Sequence, residues 1–483
     1  MSSILAQFGI SLSTLSITPS AEAYYRVIEA LFFLLIIYLA LTRAYLPWKV
    51  REAIPANTAA SKLASWRPAP LATPLPPSVR AQQPLDINIL SVDGANITLD
   101  ASHLSTDSPT TTALNFATND FLGLHAKRSI REAARIAMRD YGCGACGPRG
   151  FYGTTDLHLQ CEHRVATFCD SSSAILYSFG AATANSTIPA FCKRGDIVVV
   201  DDSINFVLYS GVRLSRANML TFEHNNMNSL EAVLKSVCEK HVDKAAVQRR
   251  FIVVEAIYAN SGDLSPLDEI ARLKDQYRFR LLLDESYSIG VLGHSGRGAL
   301  QHFDVPRKRV EIATADLGNA IASVGGICVG NAEVVEHQRL SGAGYCFSAS
   351  QPPFLAAAAT AAMDVVENEG ESLISRLRSR VKLFRDMVDV GQLKKAGWYL
   401  DGHPVSPIIF ARRYDDNANP RIFTDLQERC LEDGILVARP VYSTDELKLP
   451  KHAVKITISA VHSDEMIRKA AQVLMHNLLD VGA

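Results

Sequence analysis

The residues of this chain able to do chemistry gather at the ends of short apolar runs. Leu281, Leu282 and Leu283 form a continuous apolar run that stops at Asp284 and Glu285, and a glycine-rich stretch follows, with Gly290, Gly293, Gly296 and Gly298. Such a run suits a strand buried on both faces of a parallel sheet. In open α/β folds ligands bind at the carboxyl ends of the strands, so Asp284 stands where a cofactor would sit. On these residues alone, Asp284 could equally do no more than end a strand. The stretch 171–186, SSSAILYSFGAATANS, reads as a strand, a small-residue turn and a helix start. A helix N-terminus is an anion site, because its first amides lack partners within the helix. The run 197–200 ends at Asp201-Asp202, with Asn205-Phe206 close behind, and Phe222-x-His224-Asn225-Asn226 puts a histidine at a further strand end. An Asx turn would explain that last pattern as well.

These positions imply the elements that must carry them. Apolar runs at 197–200, 251–254 and 281–283 alternate with helical stretches, which implies parallel βαβ units with right-handed crossovers. Residues 355–377 are rich in Ala and Leu with few breakers and read as helix. Short strands return at 407–410, 435–437 and 454–459 and suit a smaller α+β domain. Residues 87–99 alternate around Asp93-Gly94, which predicts a hairpin. Between 55 and 84 lie Pro68, Pro70, Pro74, Pro76 and Pro77, so an extended, semi-rigid connector is expected there. The expected layout is an N-terminal segment at 1–50, a Pro-rich linker at 51–86, a large domain at 87–394 and a small one at 395–483.

The stretch 27–46, VIEALFFLLIIYLALTRAYL, is close to the twenty apolar residues a membrane-spanning helix needs. Tyr24, Tyr25, Tyr45 and Trp48 flank it as an interfacial belt would. No basic n-region precedes it, against a signal peptide; a buried core helix is the other reading. Arg43, Lys49 and Arg51 follow it, whereas Arg26 is offset by Glu22 and Glu29, so the positive-inside rule expects the long C-terminal part in the cytosol. The formal net charge is −1 with no basic stripe, which argues against nucleic acid as a partner. The nine cysteines are scattered, and the Cys143-x-x-Cys146 pair has no second ligand pair at metal-site spacing, so neither a disulfide framework nor a metal is expected.

Several stretches together resemble one family. NFATNDFLGL at 115–124, Gly147-Pro148-Arg149 leading through Gly153-Thr154 to His158 and Glu162, Gly262-Asp263 with Pro266-Leu267, Ser348 with Pro352-Pro353, and DLGNAIASVGG ending at Gly326 follow in order the landmarks of the α-oxoamine synthases. These are pyridoxal-phosphate (PLP) enzymes. The resemblance covers about residues 85–475 and implies a PLP-dependent transferase of fold type I: a large, mostly parallel-sheet domain and a smaller C-terminal α+β domain. In the family the small-residue turn holds the PLP phosphate, an Asp in D-E-x-H pairs with the pyridinium nitrogen, a His in D-x-x-N-H stacks on the ring, and a Lys in T-x-x-K-x-x-x-x-x-G-G forms the Schiff base. Here Asp284 is retained, Phe206 and Tyr287 stand at the two His positions, and Asn319 stands at the Lys position. Asn cannot form an imine. Ala453-Val454-Lys455, leading to His462, matches a family segment with a substrate-carboxylate Arg; only Lys455 remains, and the two cations are not equivalent at a bidentate site.

The run CGPRGFYGT at 146–154, the apolar N-terminal stretch and the missing Lys together are similar to the non-catalytic long-chain-base branch of the family. That resemblance implies a heterodimer in the endoplasmic reticulum membrane, single-pass, with the folded domain in the cytosol. The partner would be the catalytic long-chain-base subunit, binding PLP covalently, and the complex an acyltransferase condensing L-serine with palmitoyl-CoA. It implies no catalytic or cofactor-binding residue in this chain's own site, and places Cys146, Gly147, Pro148, Arg149, Gly150, Phe151 and Tyr152 at the interface, beside the partner's active site. A small activating subunit and Orm-type regulators belong to the same expectation. Cys146 is expected to be tightly packed, so that a bulky replacement overpacks its site by about 1–3 kcal/mol. An active homodimeric synthase would need a Lys near 319, and 316–330 has none. A scaffold outside the pathway is the third reading.

Overall fold

The structure is a computed structural model that describes residues 21–42, 56–68, 71–72, 85, 87–100, 110–240, 247–416 and 419–482. It divides into two units, Met1–Leu75 and Pro76–Ala483. In the first, a helix spans Ala21–Thr42, over most of the stretch expected to cross a membrane; positions 43–46 lie outside the described residues. The side chains from 24 to 39 are all exposed, with Leu31, Phe32, Phe33 and Leu34 among them. Among the described residues no helix is long and apolar enough to cross a membrane. The connector expected at 51–86 is not extended throughout, because Ala56–Ser65 is a helix. Its sequence, ANTAASKLAS, is rich in alanine and free of proline, and the dense prolines begin only at Pro68.

In the second unit the strands run β1 (Ile89–Asp93), β2 (Asn96–Asp100), β3 (Thr110–Phe116), β4 (Ser173–Tyr177), β5 (Ile197–Asp201), β6 (Asn218–Phe222), β7 (Arg250–Glu255), β8 (Arg280–Asp284), β9 (Ile312–Asp316), β10 (Gly326–Gly330), β11 (Trp398–Asp401), β12 (Ile408–Arg413), β13 (Ile435–Val437) and β14 (Val454–Thr457). Seven of them form the large sheet, in the order β4-β10-β9-β8-β7-β5-β6. Pairing from β6 to β9 is parallel, and β10 runs antiparallel to both β4 and β9. Every residue of β5 and β7 is buried, as is β8 after Arg280. Helices cover the sheet because strands running the same way need crossovers: Gly180–Phe191 lies between β4 and β5, Phe206–Ser215 between β5 and β6, Met227–Lys240 between β6 and β7, and Leu267–Tyr277 between β7 and β8.

The expected long helix extends further than 355–377, over Pro353–Met387, and starts on a proline in its first turn, where the missing amide costs nothing. The C-terminal strands arrive as expected. β11, β12 and β14 form an antiparallel sheet, while β13 pairs in parallel with β3 in a second sheet, β1-β2-β3-β13. The hairpin at 89–100 turns through Gly94, whose φ of +60° suits glycine. One apolar core contains Phe116 near one end of this unit and Leu478 near the other.

Candidate functional site

Parallel strands of the large sheet deliver four carboxyl groups to one edge: Asp201 ends β5, Glu255 ends β7, Asp284 ends β8 and Asp316 ends β9. Glu255 and Asp284 are directly paired in register. Asp284 is buried; Oδ2 accepts from Thr314 Oγ1 at 2.8 Å and Oδ1 from the Ser286 amide at 3.0 Å. Burial pushes its carboxyl above the usual range, against those hydrogen bonds. Glu255 is fully buried and accepts the Asn205 amide at 2.7 Å and the Ala259 amide at 2.9 Å. Burial raises it to about 8, despite both donors. His224 sits between two carboxylates, with Nδ1 2.9 Å from Asp201 and Nε2 3.2 Å from Asp263. Burial alone would lower its pKa, but these two hydrogen bonds prevail and raise it to about 10.

At the position where a Schiff-base Lys would stand, Asn319 is buried and engaged at both ends of its amide. Nδ2 donates to the Ser286 carbonyl at 2.8 Å, and Oδ1 accepts from Asn119 Nδ2 at 3.0 Å. Asn119 Oδ1 in turn accepts from Lys455 Nζ at 2.7 Å. The Lys455 ammonium lies over the Tyr287 ring, 5.8 Å from its centroid. Burial lowers the Lys455 amine to about 8 and raises the Tyr287 hydroxyl. This relay joins the turns after β3, β8 and β9 to strand β14. Asn319, Tyr287 and the segment after Asp284 therefore do converge, as the sequence implied. Phe206 opens the helix Phe206–Ser215 and is half-buried; Asn205 caps that helix, accepting the Val207 and Leu208 amides.

The small-residue turn also forms. Phe179 is the N-cap of Gly180–Phe191 and offers no side-chain cap. The groove beside this N-terminus is narrow. A Cβ on Gly326 would lie 3.0 Å from Gly180 Cα, so the Gly325-Gly326 pair is needed for close approach. The Asp316 carboxylate, beside Gly326 in the sheet register, also lies against Gly180: a Cβ there would lie 2.5 Å from Oδ2 and 2.7 Å from Oδ1.

The loop at 146–154 is built on different contacts. Arg149 is buried and is its anchor: Nη1 lies 2.9 Å from Glu162, Nε donates to Thr154 Oγ1 at 2.9 Å, and the guanidinium lies 5.3 Å from the Tyr345 ring centroid. Ser350 donates through its amide and its hydroxyl to the Gly147 carbonyl. A Cβ on Gly147 would lie 2.7 Å from the Phe151 carbonyl, so the loop closes too tightly for any other residue there. Pro148 accepts the Phe151 and Gly153 amides. The far side is open: Phe151 is 66% exposed and Tyr152 fully so, and Leu340 and Phe347 are exposed as well. Cys146 is itself exposed, at φ +56°. The tight packing expected of Cys146 is therefore not found: its side chain is exposed, with Sγ 3.7 Å from the Gly144 carbonyl, so a larger side chain there has solvent to occupy.

Three site residues escaped the sequence reading. Asn119 lies inside the NFATNDFLGL run and was legible there only as part of a motif. Asp316 stands three residues before Asn319, at the Thr position of the T-x-x-K pattern, which was a usable signal. Glu255 carried none, since it reads as an ordinary strand end.

The large sheet, its single reversed strand and the crossover helices define a PLP-dependent transferase of fold type I. A family profile for class I and II aminotransferases matches residues 111–474. Among solved structures, the serine palmitoyltransferase of S. paucimobilis superposes with a TM-score of 0.72 at 22% identity, over 82% of this chain and 93% of that one. The 8-amino-7-oxononanoate synthase of Francisella tularensis gives 0.61 at 22% identity, over 75% and 97%. The sequence relatives are nearer. Long chain base biosynthesis protein 1 of Arabidopsis thaliana is 38% identical over 85% of this chain and 82% of its own length. Serine palmitoyltransferase 1 of Dictyostelium discoideum is 35% identical over 92% of each. The chain thus belongs to the class I and II aminotransferase family, and within it to the group of serine palmitoyltransferase 1 and long chain base biosynthesis protein 1. The residues present at its own cofactor position do not fit PLP: Asn319 offers no amine and is held at both ends, and Asp316 lies against the helix N-terminus that would take the phosphate.

Proposed function

We propose that this chain is the non-catalytic, structural and regulatory subunit of a serine palmitoyltransferase, supporting the condensation of L-serine with palmitoyl-CoA in long-chain-base synthesis. The observation that carries the reading is Asn319, bonded to Ser286 and Asn119 where the Schiff-base Lys belongs. The relatives' names support the pathway. In this reading PLP is bound by the catalytic partner, the long-chain-base subunit 2 type. This chain supplies the surface that completes the complex. Phe151, Tyr152, Leu340 and Phe347 are large and exposed, and burying each against a partner would contribute about 1.5–3 kcal/mol. Arg149, Gly147 and the Ser350 contacts hold that surface rigid, so little entropy is lost when a partner docks. Attachment to the endoplasmic reticulum membrane, with the folded unit in the cytosol, belongs to the same proposal. Its support is the apolar helix Ala21–Thr42, whose side chains from 24 to 39 are exposed, and the basic residues that follow it.

Co-purification tests the reading. The tagged full chain, isolated from its own cells, should bring down a homologous partner carrying about one PLP per pair, and borohydride should fix that PLP to the partner's lysine. PLP fixed to this chain, or full acyltransferase activity without any partner, would overturn it.

A further inference from the structure

We propose that Asp316 is a built-in anion that takes the place of the cofactor's phosphate, so that this chain excludes PLP by occlusion as well as by lacking an amine at position 319. The inference rests on the family assignment, and it holds whether or not the chain pairs with a PLP-bearing partner.

Asp316 is the last residue of β9 and is pinned on several sides. Its amide donates to Ser286 Oγ at 3.0 Å, and its Oδ1 accepts the Gly318 amide at 2.7 Å. The carboxylate is thereby laid against Gly180, the first residue of a twelve-residue helix whose N-cap has no side-chain acceptor. The first amides of such a helix need an acceptor and favour a negative charge. A phosphate would need those amides and that volume. Gly326, the cross-strand partner of Asp316, leaves no room beside it, because a Cβ there would lie 3.0 Å from Gly180 Cα and closer still to Thr183. Burial pushes the Asp316 carboxyl above its usual value, against the Gly318 hydrogen bond. In either protonation state it fills the space; when ionised it also repels a phosphate dianion.

The second half of the exclusion is independent. Asn319 is not an idle substitution, since its amide is one link in the relay from Lys455 through Asn119 to the Ser286 carbonyl. Restoring an amine at 319 alone would break that relay and still leave the phosphate without a cradle.

The test uses the full-length chain as wild type, N319K, D316T and D316T/N319K, with circular dichroism to check folding. Each is incubated with PLP and reduced with borohydride. The introduced amine and the aldehyde condense with loss of water, hydride adds to the imine, and mass spectrometry measures the adduct at position 319. D316T against wild type is read separately, as PLP retained on ultrafiltration without reduction. At the PLP concentration that half-loads D316T/N319K, N319K should carry at least tenfold less adduct, and D316T should retain at least tenfold more PLP than wild type. If D316T/N319K does not fold, D316S/N319K replaces it. Equal loading of N319K and a folded double variant would reduce Asp316 to a packing contact of Gly180 and overturn the proposal. So would a folded D316T that retains no more PLP than wild type.

Discussion

Replacing Lys455 by Met should change how stability depends on pH far more than it changes stability at neutral pH. Burial lowers the Lys455 amine from the usual 10.5 to about 8, a difference worth roughly 3 kcal/mol. Lys455 keeps some contact with solvent, so about 2–3 kcal/mol is the appropriate figure. The sign follows from the direction. Between pH 8 and 10.5 the unfolded chain holds a proton that the folded chain has lost, so folding becomes more favourable as pH rises through that window, and below 8 the full penalty applies. Lys455→Met removes the penalty, but it deprives Asn119 Oδ1 of its 2.7 Å donor, which costs about 1–3 kcal/mol. At pH 7 the two effects cancel to within about 1–2 kcal/mol. By pH 10.5 only the lost hydrogen bond remains, so wild type should have gained about 2–3 kcal/mol over the variant. Urea denaturation of both proteins at pH 7, 8.5, 9.5 and 10.5 measures this, and taking the difference cancels the titration of every other group. A difference that stays flat within about 0.5 kcal/mol would show that the ammonium is solvated and that the relay to Asn319 is not a buried one.

Arg149→Ala should destabilise the folded unit by about 3 kcal/mol, because it removes the 2.9 Å partner of buried Glu162 and leaves it only the Leu176 amide and Arg339 at 3.7 Å, and Arg149→Lys should recover only part of that since one ammonium cannot replace a fork. Thermal unfolding decides, and a loss below about 1 kcal/mol for Arg149→Ala would remove Arg149 as the loop's anchor. Cys146→Trp should leave the isolated chain within about 0.5 kcal/mol of wild type, since Cys146 is exposed. Its effect should appear instead in the purified complex, as a lower turnover of serine relative to alanine; an unchanged ratio in a well-assembled complex would take the loop away from the partner's active site. A glycosylation acceptor placed in the first ten residues should be modified and one placed after residue 90 should not, and the reverse pattern would overturn the topology.

Much of this protein could be read locally. Continuous apolar runs ending in Asp or Glu are enough to locate β5, β7 and β8, because a strand buried on both faces tolerates nothing else. Asp93-Gly94 located the hairpin for the same kind of reason: only certain residues suit that turn. The ordered landmarks around Asn319 were legible as a family pattern with its central amine missing. By contrast, the helix Ala56–Ser65 was missed because neighbouring prolines weighed more in the reading than the alanines between them. Cys146 is exposed where tight packing was expected because exposure is not a property of a residue type: a small side chain in a Gly/Pro loop can face either way.

The sequence by itself determined the alternation of buried strands and helices, the fold family and the absence of a Schiff-base amine at position 319, since each depends on residue type and local spacing. Only the tertiary structure decided what Asn319 is bonded to in place of that amine. Asn119, Asn319 and Lys455 are separated by 200 and 336 positions along the chain, and no local pattern ties their side chains together. The same holds for Asp316 against Gly180. Two strands that are not neighbours in sequence must first be laid in one sheet, β4 beside β10 and β10 beside β9. Only then does the carboxylate that ends β9 meet the helix that follows β4, because hydrogen-bonded registry between distant strands brings those two ends to the same edge.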